Sequence, residues 1–171
     1  AGGEASGKLV TLVRQLAERR AADAGARWIL IDASPGTGCP VNASLTGCDL
    51  AIAVTEPSRS ALYDLERVLD LAQWFRVPAS VVINKADVCP AMADVIRSAC
   101  GARGVEVIGE VPFDRRVPEH LSQGTIPAMG DGPGAAALRR ICRDVLERTE
   151  ALAKEKRRPG RPREPLVRSE G

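Results

Sequence analysis

Apolar residues follow two alternating patterns along this chain. They recur at helical spacing over residues 7–24, about 58–75, 91–100 and 135–153. Short apolar runs of strand type lie at residues 28–31, 49–55, 79–83 and 105–111, and the run at 49–55 lacks the polar alternation of a half-exposed strand. The regular alternation of helices and strands predicts an α/β fold, with a doubly wound, mostly parallel sheet and helices on both faces.

The composition refines this prediction. The 171 residues are 44% hydrophobic and 27% charged but only 3% aromatic, which indicates a globular domain with an aliphatic core. No apolar run reaches the roughly 18 residues of a membrane span. Five cysteines, an odd number with no C-x-x-C pair, favour free thiols in a reducing compartment over metal ligation, so we expect a cytoplasmic protein.

The charge is unevenly distributed. Residues 1–150 hold 17 basic and 19 acidic side chains, whereas residues 151–171 hold 7 and 3. The last residues, 154–171, are rich in Lys, Arg and Pro, and we predict a basic disordered tail after a domain at 1–153. Its RRPGRPRE run is similar to a minor-groove DNA hook, but a solvated tail is the favoured interpretation, and we do not expect nucleic acid as a partner.

Two strand ends carry candidate chemistry, because ligands of open parallel sheets bind beyond the carboxyl ends of the strands. The first is IDASPGTGCP, where Asp32 could hold hydrated Mg²⁺ and the loop at Pro35 and Gly36 could approach a terminal phosphate. A simple strand-ending turn is the alternative. Thr55, Glu56 and Pro57 end the next run and could orient this loop or serve conformation alone.

The second strand end is VVINKAD. The amide of Asn84 could bind a purine edge, and the stem of Lys85 could cover the base. Asp87 could accept hydrogen bonds from guanine, which would favour GTP. A surface loop with an Asx-turn is the alternative, but two such junctions at one edge of a sheet support a nucleotide site.

A third motif is interpreted as a chance match. Gly2 to Lys8 satisfies G-x-x-x-x-G-K, but no strand precedes it and Leu9 stands where a P-loop needs Ser or Thr. His120 has no partners at ligand spacing and is given no role.

The run from IDASPGTGCPV through VTEPS, with VVINKAD and EVPFD, resembles the MinD-like P-loop ATPases that carry an inserted ferredoxin domain, within the Mrp/ParA/MinD group. The resemblance implies that Asp32 is a Walker B carboxylate holding Mg²⁺ through water and that Gly36 donates to the γ-phosphate. It also implies that Asn84 reads the base and that Pro112 to Asp114 line the base pocket.

The resemblance also shows what is missing. Family members begin with a strand and a G-K-G-G-x-G-K loop and then carry the ferredoxin cysteines, and none of these is present here. We therefore expect the C-terminal half of such an ATPase, without its first strand and P-loop. The implied cofactors are ATP and Mg²⁺, with 4Fe-4S clusters only in the missing insert.

Three functions are consistent with these sequence features. The leading hypothesis is the ATP-binding part of an ATPase that is a homodimer at full length, acts with iron–sulfur or redox partner proteins and is inactive as this piece. A GTPase metallochaperone follows from Asp87 in NKAD. A partner-binding module that does not hydrolyse nucleotide is the third.

Overall fold

The computed structural model of the chain describes residues 2–156, and the side chains of residues 7–155. In chain order, the elements are α1 (Gly2–Ala24), α2 (Cys39–Leu45), β1 (Ala51–Thr55), α3 (Arg59–Trp74), β2 (Ala79–Asn84), α4 (Pro90–Ala102), β3 (Glu106–Val111), α5 (Arg116–Ser122), a 3₁₀ turn (Pro127–Met129) and α6 (Pro133–Lys156). No helix in this described part is both long and apolar enough to cross a membrane.

The three strands form a parallel sheet in the order β1-β2-β3. Ala51 lies opposite Ala79, and a register irregularity follows Val81, where β2 pairs with β3. The central strand is the most buried, with Val81 and Ile83 fully inaccessible. Parallel strands with few polar residues are stable only when both faces are covered, and this is the arrangement found.

Helices cover both faces of the sheet, as the sequence predicted. On one face, Leu65 and Leu69 of α3 and Ile96 of α4 pack around the centre of β2. On the other face, Ala137 and Ile141 of α6 pack against the remaining side chains of β2 and β3. The α/β prediction is therefore confirmed.

Helix α3 begins after a capping serine, Ser58. The Ser58 hydroxyl accepts a hydrogen bond from the Ala61 backbone N–H at 3.1 Å, which satisfies one of the free donors in the first turn. Pro90 stands in the first turn of α4, where its missing N–H costs nothing. These local signals fix where the crossover helices start.

One predicted strand is wrong. Residues 28–31 form no strand, and Leu30 is 97% exposed. A parallel strand needs a hydrogen-bonded neighbour along its length, and in the described part of the chain β1 pairs only with β2, so these four residues have none.

Other boundaries also differ from the predictions. Helix α1 begins at Gly2 rather than residue 7, and the short helices α2 and α5 were not predicted. Helix α6 continues to Lys156, three residues into the predicted tail. The rest of that tail, including RRPGRPRE, lies outside the described residues, and the domain division stays a prediction.

Candidate functional site

The carboxyl ends of the three strands meet at one edge of the sheet, which we call the rim: residues 55–57, 84–87 and 111–114. The loops that follow β2 and β3 are joined there by their backbones, because the Ala86 N–H donates to the Val111 carbonyl at 3.1 Å. The rim therefore brings together four of the predicted site residues: Asn84, Asp87, Pro112 and Asp114.

Glu56 links the end of β1 to the end of β2. Its Oε1 lies 2.7 Å from Lys85 Nζ and accepts a longer hydrogen bond, 3.4 Å, from Asn84 Nδ2. Lys85 adopts a left-handed backbone conformation, with φ of 53°, which is uncommon for a residue with a side chain and is typical of functional turns. Because the ion pair between Glu56 and Lys85 is partly exposed, it adds little to the stability of the fold. Its effect at the rim is to hold Glu56 where its carboxylate orients the Asn84 amide.

Asp87 links the end of β2 to the end of β3. Its Oδ1 accepts a hydrogen bond from the Phe113 backbone N–H at 2.7 Å. Asp87 was predicted to read a guanine base, and in this structure one of its carboxylate oxygens holds the neighbouring loop. The contact keeps Pro112 and Phe113 beside the turn that carries Asn84.

Asp114 anchors the starts of two helices. It accepts hydrogen bonds from the Arg116 backbone N–H at 3.1 Å, from Arg116 Nε at 3.0 Å and from the Gly134 N–H at 3.1 Å. The hydrogen bond from the Arg116 side chain is the main reason that the pKa of Asp114 lies below its ordinary value. A Cβ on Gly134 would lie 2.8 Å from the Asp114 Cβ, so only glycine allows this close approach.

The loop with the other predicted residues is held differently. Asp32, Pro35 and Gly36 are all exposed, and Gly36 has φ of 93°, a conformation that glycine tolerates best. A side-chain hydrogen bond ties the loop to a helix, because the Arg67 guanidinium of α3 donates to the Thr37 hydroxyl at 2.8 Å. Within the described residues, no hydrogen bond joins Asp32 to the rim.

The motif from Gly2 to Lys8 lies inside α1. It is therefore not a loop between a strand and a helix, in agreement with its interpretation as a chance match. A cleft of about 360 Å³ lies between α1 and α2, with Cys39 and Lys8 among its lining residues. None of the predicted nucleotide residues lines this cleft.

Among the described side chains of residues 7–155, no three His, Cys, Asp or Glu residues lie close enough together to hold a metal ion. Cys39 and Cys142 are exposed, whereas burial raises the pKa of the Cys100 thiol. His120 Nδ1 lies 2.8 Å from the Thr125 hydroxyl, five positions further along the chain.

Sequence reasoning missed two residues that position the site. Arg67 lies in the middle of an ordinary amphipathic helix, and nothing in its local pattern pointed to Thr37, which is 30 positions earlier. Gly134 stands in a glycine-rich stretch, but its close approach to Asp114 depends on tertiary packing. Glu56 was noticed from the strand end, although its link to Asn84 and Lys85 was not.

The sequence of this chain is similar to the sequences of known proteins. The chain is 26% identical to an iron–sulfur cluster carrier protein of Methanocaldococcus jannaschii over 136 residues, 72% of this chain and 47% of that protein. It is 27% identical to the cytosolic Fe-S cluster assembly factor NBP35 of Eremothecium gossypii, over 67% of this chain and 40% of that factor. No protein-family model matches.

The fold matches part of the fold of the MinD cell division ATPase. The structure of MinD from Pyrococcus furiosus matches with a TM-score of 0.59 and 20% identity, covering 71% of this chain and 52% of that one. The MinD structure from Aquifex aeolicus matches with a TM-score of 0.54 and 18% identity, over 62% of this chain and 47% of that one.

Together, the comparisons show a similarity in sequence to iron–sulfur cluster carrier and assembly proteins and a partial similarity in fold to MinD. The chain spans about half the length of the carrier proteins that it matches, 47% in the M. jannaschii case.

Proposed function

We propose that this chain is the nucleotide-binding part of a MinD-like ATPase that serves iron–sulfur cluster handling. The observation that carries the proposal is the similarity to iron–sulfur cluster carrier proteins along 72% of the chain. The rim supports it, because it holds a carboxamide and several backbone groups at the edge of a parallel sheet where ligands bind. The nucleotide is ATP with Mg²⁺.

The proposed roles follow the resemblance, residue by residue. Asn84 contacts the base, and Pro112 to Asp114 form the wall beside it. Asp32 holds Mg²⁺ through water, and the Gly36 backbone N–H faces the γ-phosphate. Asp32 is exposed and has no second acidic ligand in a cluster among the described side chains, so the cation would take its other ligands from water and phosphate oxygens.

The described residues supply little for the phosphates. Helix α1 begins at Gly2, inside the sequence that most resembles a P-loop, so this stretch is helical and does not form the loop between a strand and a helix that cradles a triphosphate. We therefore propose that the 171 residues do not hydrolyse ATP alone. The longer protein would add the phosphate loop and a ferredoxin insert with 4Fe-4S clusters, and it would act as a cytoplasmic homodimer with iron–sulfur or redox partners.

An NMR titration with nucleotide tests the proposal, because the chain is expected to bind nucleotide weakly at the rim. In ¹H–¹⁵N NMR spectra of the 171-residue chain, Mg-ATP is expected to shift the resonances of Asn84, Lys85 and Phe113. Asn84→Ala should remove these shifts, whereas Gln73→Ala, at the far end of α3, should keep them. Absence of shifts at the rim with wild-type chain, or turnover of ATP by the chain alone, would contradict the proposal.

The same titration with Mg-GTP tests the alternative function, that of a GTPase metallochaperone. Asp87 has its Oδ1 engaged by Phe113, so a guanine base would have to use the other oxygen or displace that contact. Larger shifts with GTP than with ATP would favour the alternative. Shifts with neither nucleotide would favour the partner-binding module.

A further inference from the structure

We propose that Glu56 is a specificity-determining residue of the rim, because it fixes which atoms of the Asn84 amide face a bound base. The fixed amide selects adenine, which carries an amino group at C6, over guanine, which carries an oxygen there. The inference rests on the proposed nucleotide site and names the residue that sets its base preference. Glu56 acts through Asn84 and is therefore a positioning residue.

The Asn84 amide is oriented by a group that only accepts hydrogen bonds. Asn84 Nδ2 donates to Glu56 Oε1 at 3.4 Å, and an ionised carboxylate has no hydrogen to donate in return. Turning the amide over would place Asn84 Oδ1 against the carboxylate, and two oxygens without a hydrogen between them repel each other. The orientation therefore follows from the charge of Glu56, and it leaves Oδ1 and the second N–H of the Asn84 amide for a base.

Glu56 is held in place by its backbone and by a neighbouring charge. Its carbonyl accepts a hydrogen bond from the Ser58 backbone N–H at 2.7 Å, and the residue before it, Thr55, is buried at the end of β1. The Lys85 ammonium lies 2.7 Å from the same carboxylate oxygen that accepts from Asn84. These contacts keep a carboxylate beside the Asn84 amide.

The two purines differ along the edge that runs from C6 to N7. Adenine presents a donor, its 6-amine, and an acceptor, N7, and a carboxamide matches this pair with its oxygen and one N–H. Guanine presents two acceptors, O6 and N7, on the same edge. Asn84 in its present orientation would set its Oδ1 against O6, and the reverse orientation would set Oδ1 against the Glu56 carboxylate. In both cases guanine loses a hydrogen bond that adenine keeps.

Asp87 does not offset this loss. The N1–H and the 2-amine of guanine are two donors that a carboxylate accepts best with both of its oxygens. Asp87 Oδ1 already accepts from the Phe113 backbone N–H at 2.7 Å, a contact that joins the loops after β2 and β3. A guanine base would compete with this contact, whereas adenine has no donor at N1 or C2 and leaves it intact.

The affinities of the 171-residue chain for ATP and inosine triphosphate (ITP) test the inference, because ITP carries an oxygen at C6 and, unlike GTP, no amine at C2. Both Kd values follow from the shifts of the Lys85 and Phe113 amide resonances on titration with the magnesium complexes. ATP should bind about tenfold more tightly than ITP. Glu56→Gln should reduce this ratio to less than about threefold, because a glutamine side chain both donates and accepts and no longer fixes the Asn84 amide.

A matched variant and a second ligand complete the design. Glu106→Gln is the control, because Glu106 begins β3 at the opposite end of the sheet and also pairs with a cation, Arg148, and it should keep the wild-type ratio. In the ligand-free chain, the side-chain ¹H–¹⁵N resonances of Asn84 should move in Glu56→Gln and stay in place in Glu106→Gln. With the wild-type chain, 7-deaza-ATP, which lacks the N7 acceptor, should bind about fivefold more weakly than ATP.

The outcomes separate this inference from the proposed nucleotide site. Rim shifts with equal affinities for ATP and ITP would overturn the role of Glu56 and leave the nucleotide site standing. The role is also overturned if Glu56→Gln keeps the wild-type ratio or the wild-type Asn84 resonances, or if 7-deaza-ATP binds as tightly as ATP. An absence of rim shifts with every nucleotide would contradict the nucleotide site and this inference together. Far-UV circular dichroism checks that both variants fold.

Discussion

The rim and the Asp32 loop were predicted to be two sides of one site, yet the structure holds them in different ways. At the rim, each strand end is bonded to the next, through Glu56, Lys85, Asp87 and the backbone of Phe113. Residues 27–38 are mostly exposed, and two side-chain contacts near their ends, Arg27 with Glu150 and Thr37 with Arg67, tie them to helices. Hydrogen bonds to neighbouring strands hold the ends of a strand in a sheet, whereas residues 27–38 pair with no strand in the described part of the chain.

The largest expected effect contrasts buried and exposed apolar residues. Ile96 is completely buried beneath the sheet and Leu30 is 97% exposed. Ile96→Ala should lower the free energy of unfolding by about 2–5 kcal/mol, because it removes apolar contacts and leaves a cavity. Leu30→Ala should change it by less than about 0.5 kcal/mol. Urea denaturation followed by circular dichroism measures both.

The stabilities of these two variants can contradict the contrast between the buried sheet and residues 28–31. A large loss for Leu30→Ala would show that residues 28–31 are packed in solution, and the contrast between the two regions would not hold.

The second effect probes how tightly α6 packs on the sheet near the rim. A Cβ on Gly109 of β3 would lie 2.3 Å from Ile141 Cγ1, and Ile141 is itself buried. Gly109→Ala should therefore destabilise the fold by about 1–3 kcal/mol through overpacking. Gly101→Ala is the matched control, because a Cβ there meets nothing within 4 Å, and it should leave stability unchanged or slightly higher. Equal effects of the two variants in thermal denaturation would refute the tight fit.

The smallest effect concerns the pH dependence of the rim. The hydrogen bond from the Arg116 side chain holds the pKa of Asp114 below its ordinary value of 3.8. The ionised carboxylate therefore stabilises the fold above about pH 4, and that contribution is lost as the pH falls through the folded-state pKa. The difference in Tm between wild type and Asp114→Asn should be largest at neutral pH and should shrink in acid.

Asp131→Asn serves as the control for that measurement, since Asp131 is an exposed carboxyl in the glycine-rich stretch before α6. Its Tm should follow that of the wild type at every pH. A constant offset between wild type and Asp114→Asn down to strong acid would mean that the Arg116 contact does not depend on the charge of Asp114.

Much of the architecture was predictable from local signals. The apolar runs at β1, β2 and β3 and the alternation of helices and strands identified the parallel α/β sheet correctly. They succeeded because burial on both faces leaves a direct trace in the sequence. The positions of Asn84 and Asp87 at strand ends followed from the same reasoning.

The strand at residues 28–31 could not be decided from its own composition. Its apolar residues have strand character, but a strand exists only when another strand bonds to it, and that partner is not within the described residues. The links of Glu56 to Lys85 and of Arg67 to Thr37 join residues about 30 positions apart, beyond any local pattern.

The sequence by itself determined the class of fold and the end of the sheet where a ligand would bind, because the spacing of apolar residues specifies which surfaces are buried. Only the tertiary structure decided which of those residues meet. Hydrogen bonds between strands and side-chain contacts across the rim depend on neighbours distant in the chain, as the bonds of Glu56 to Lys85 and of Asp87 to Phe113 show.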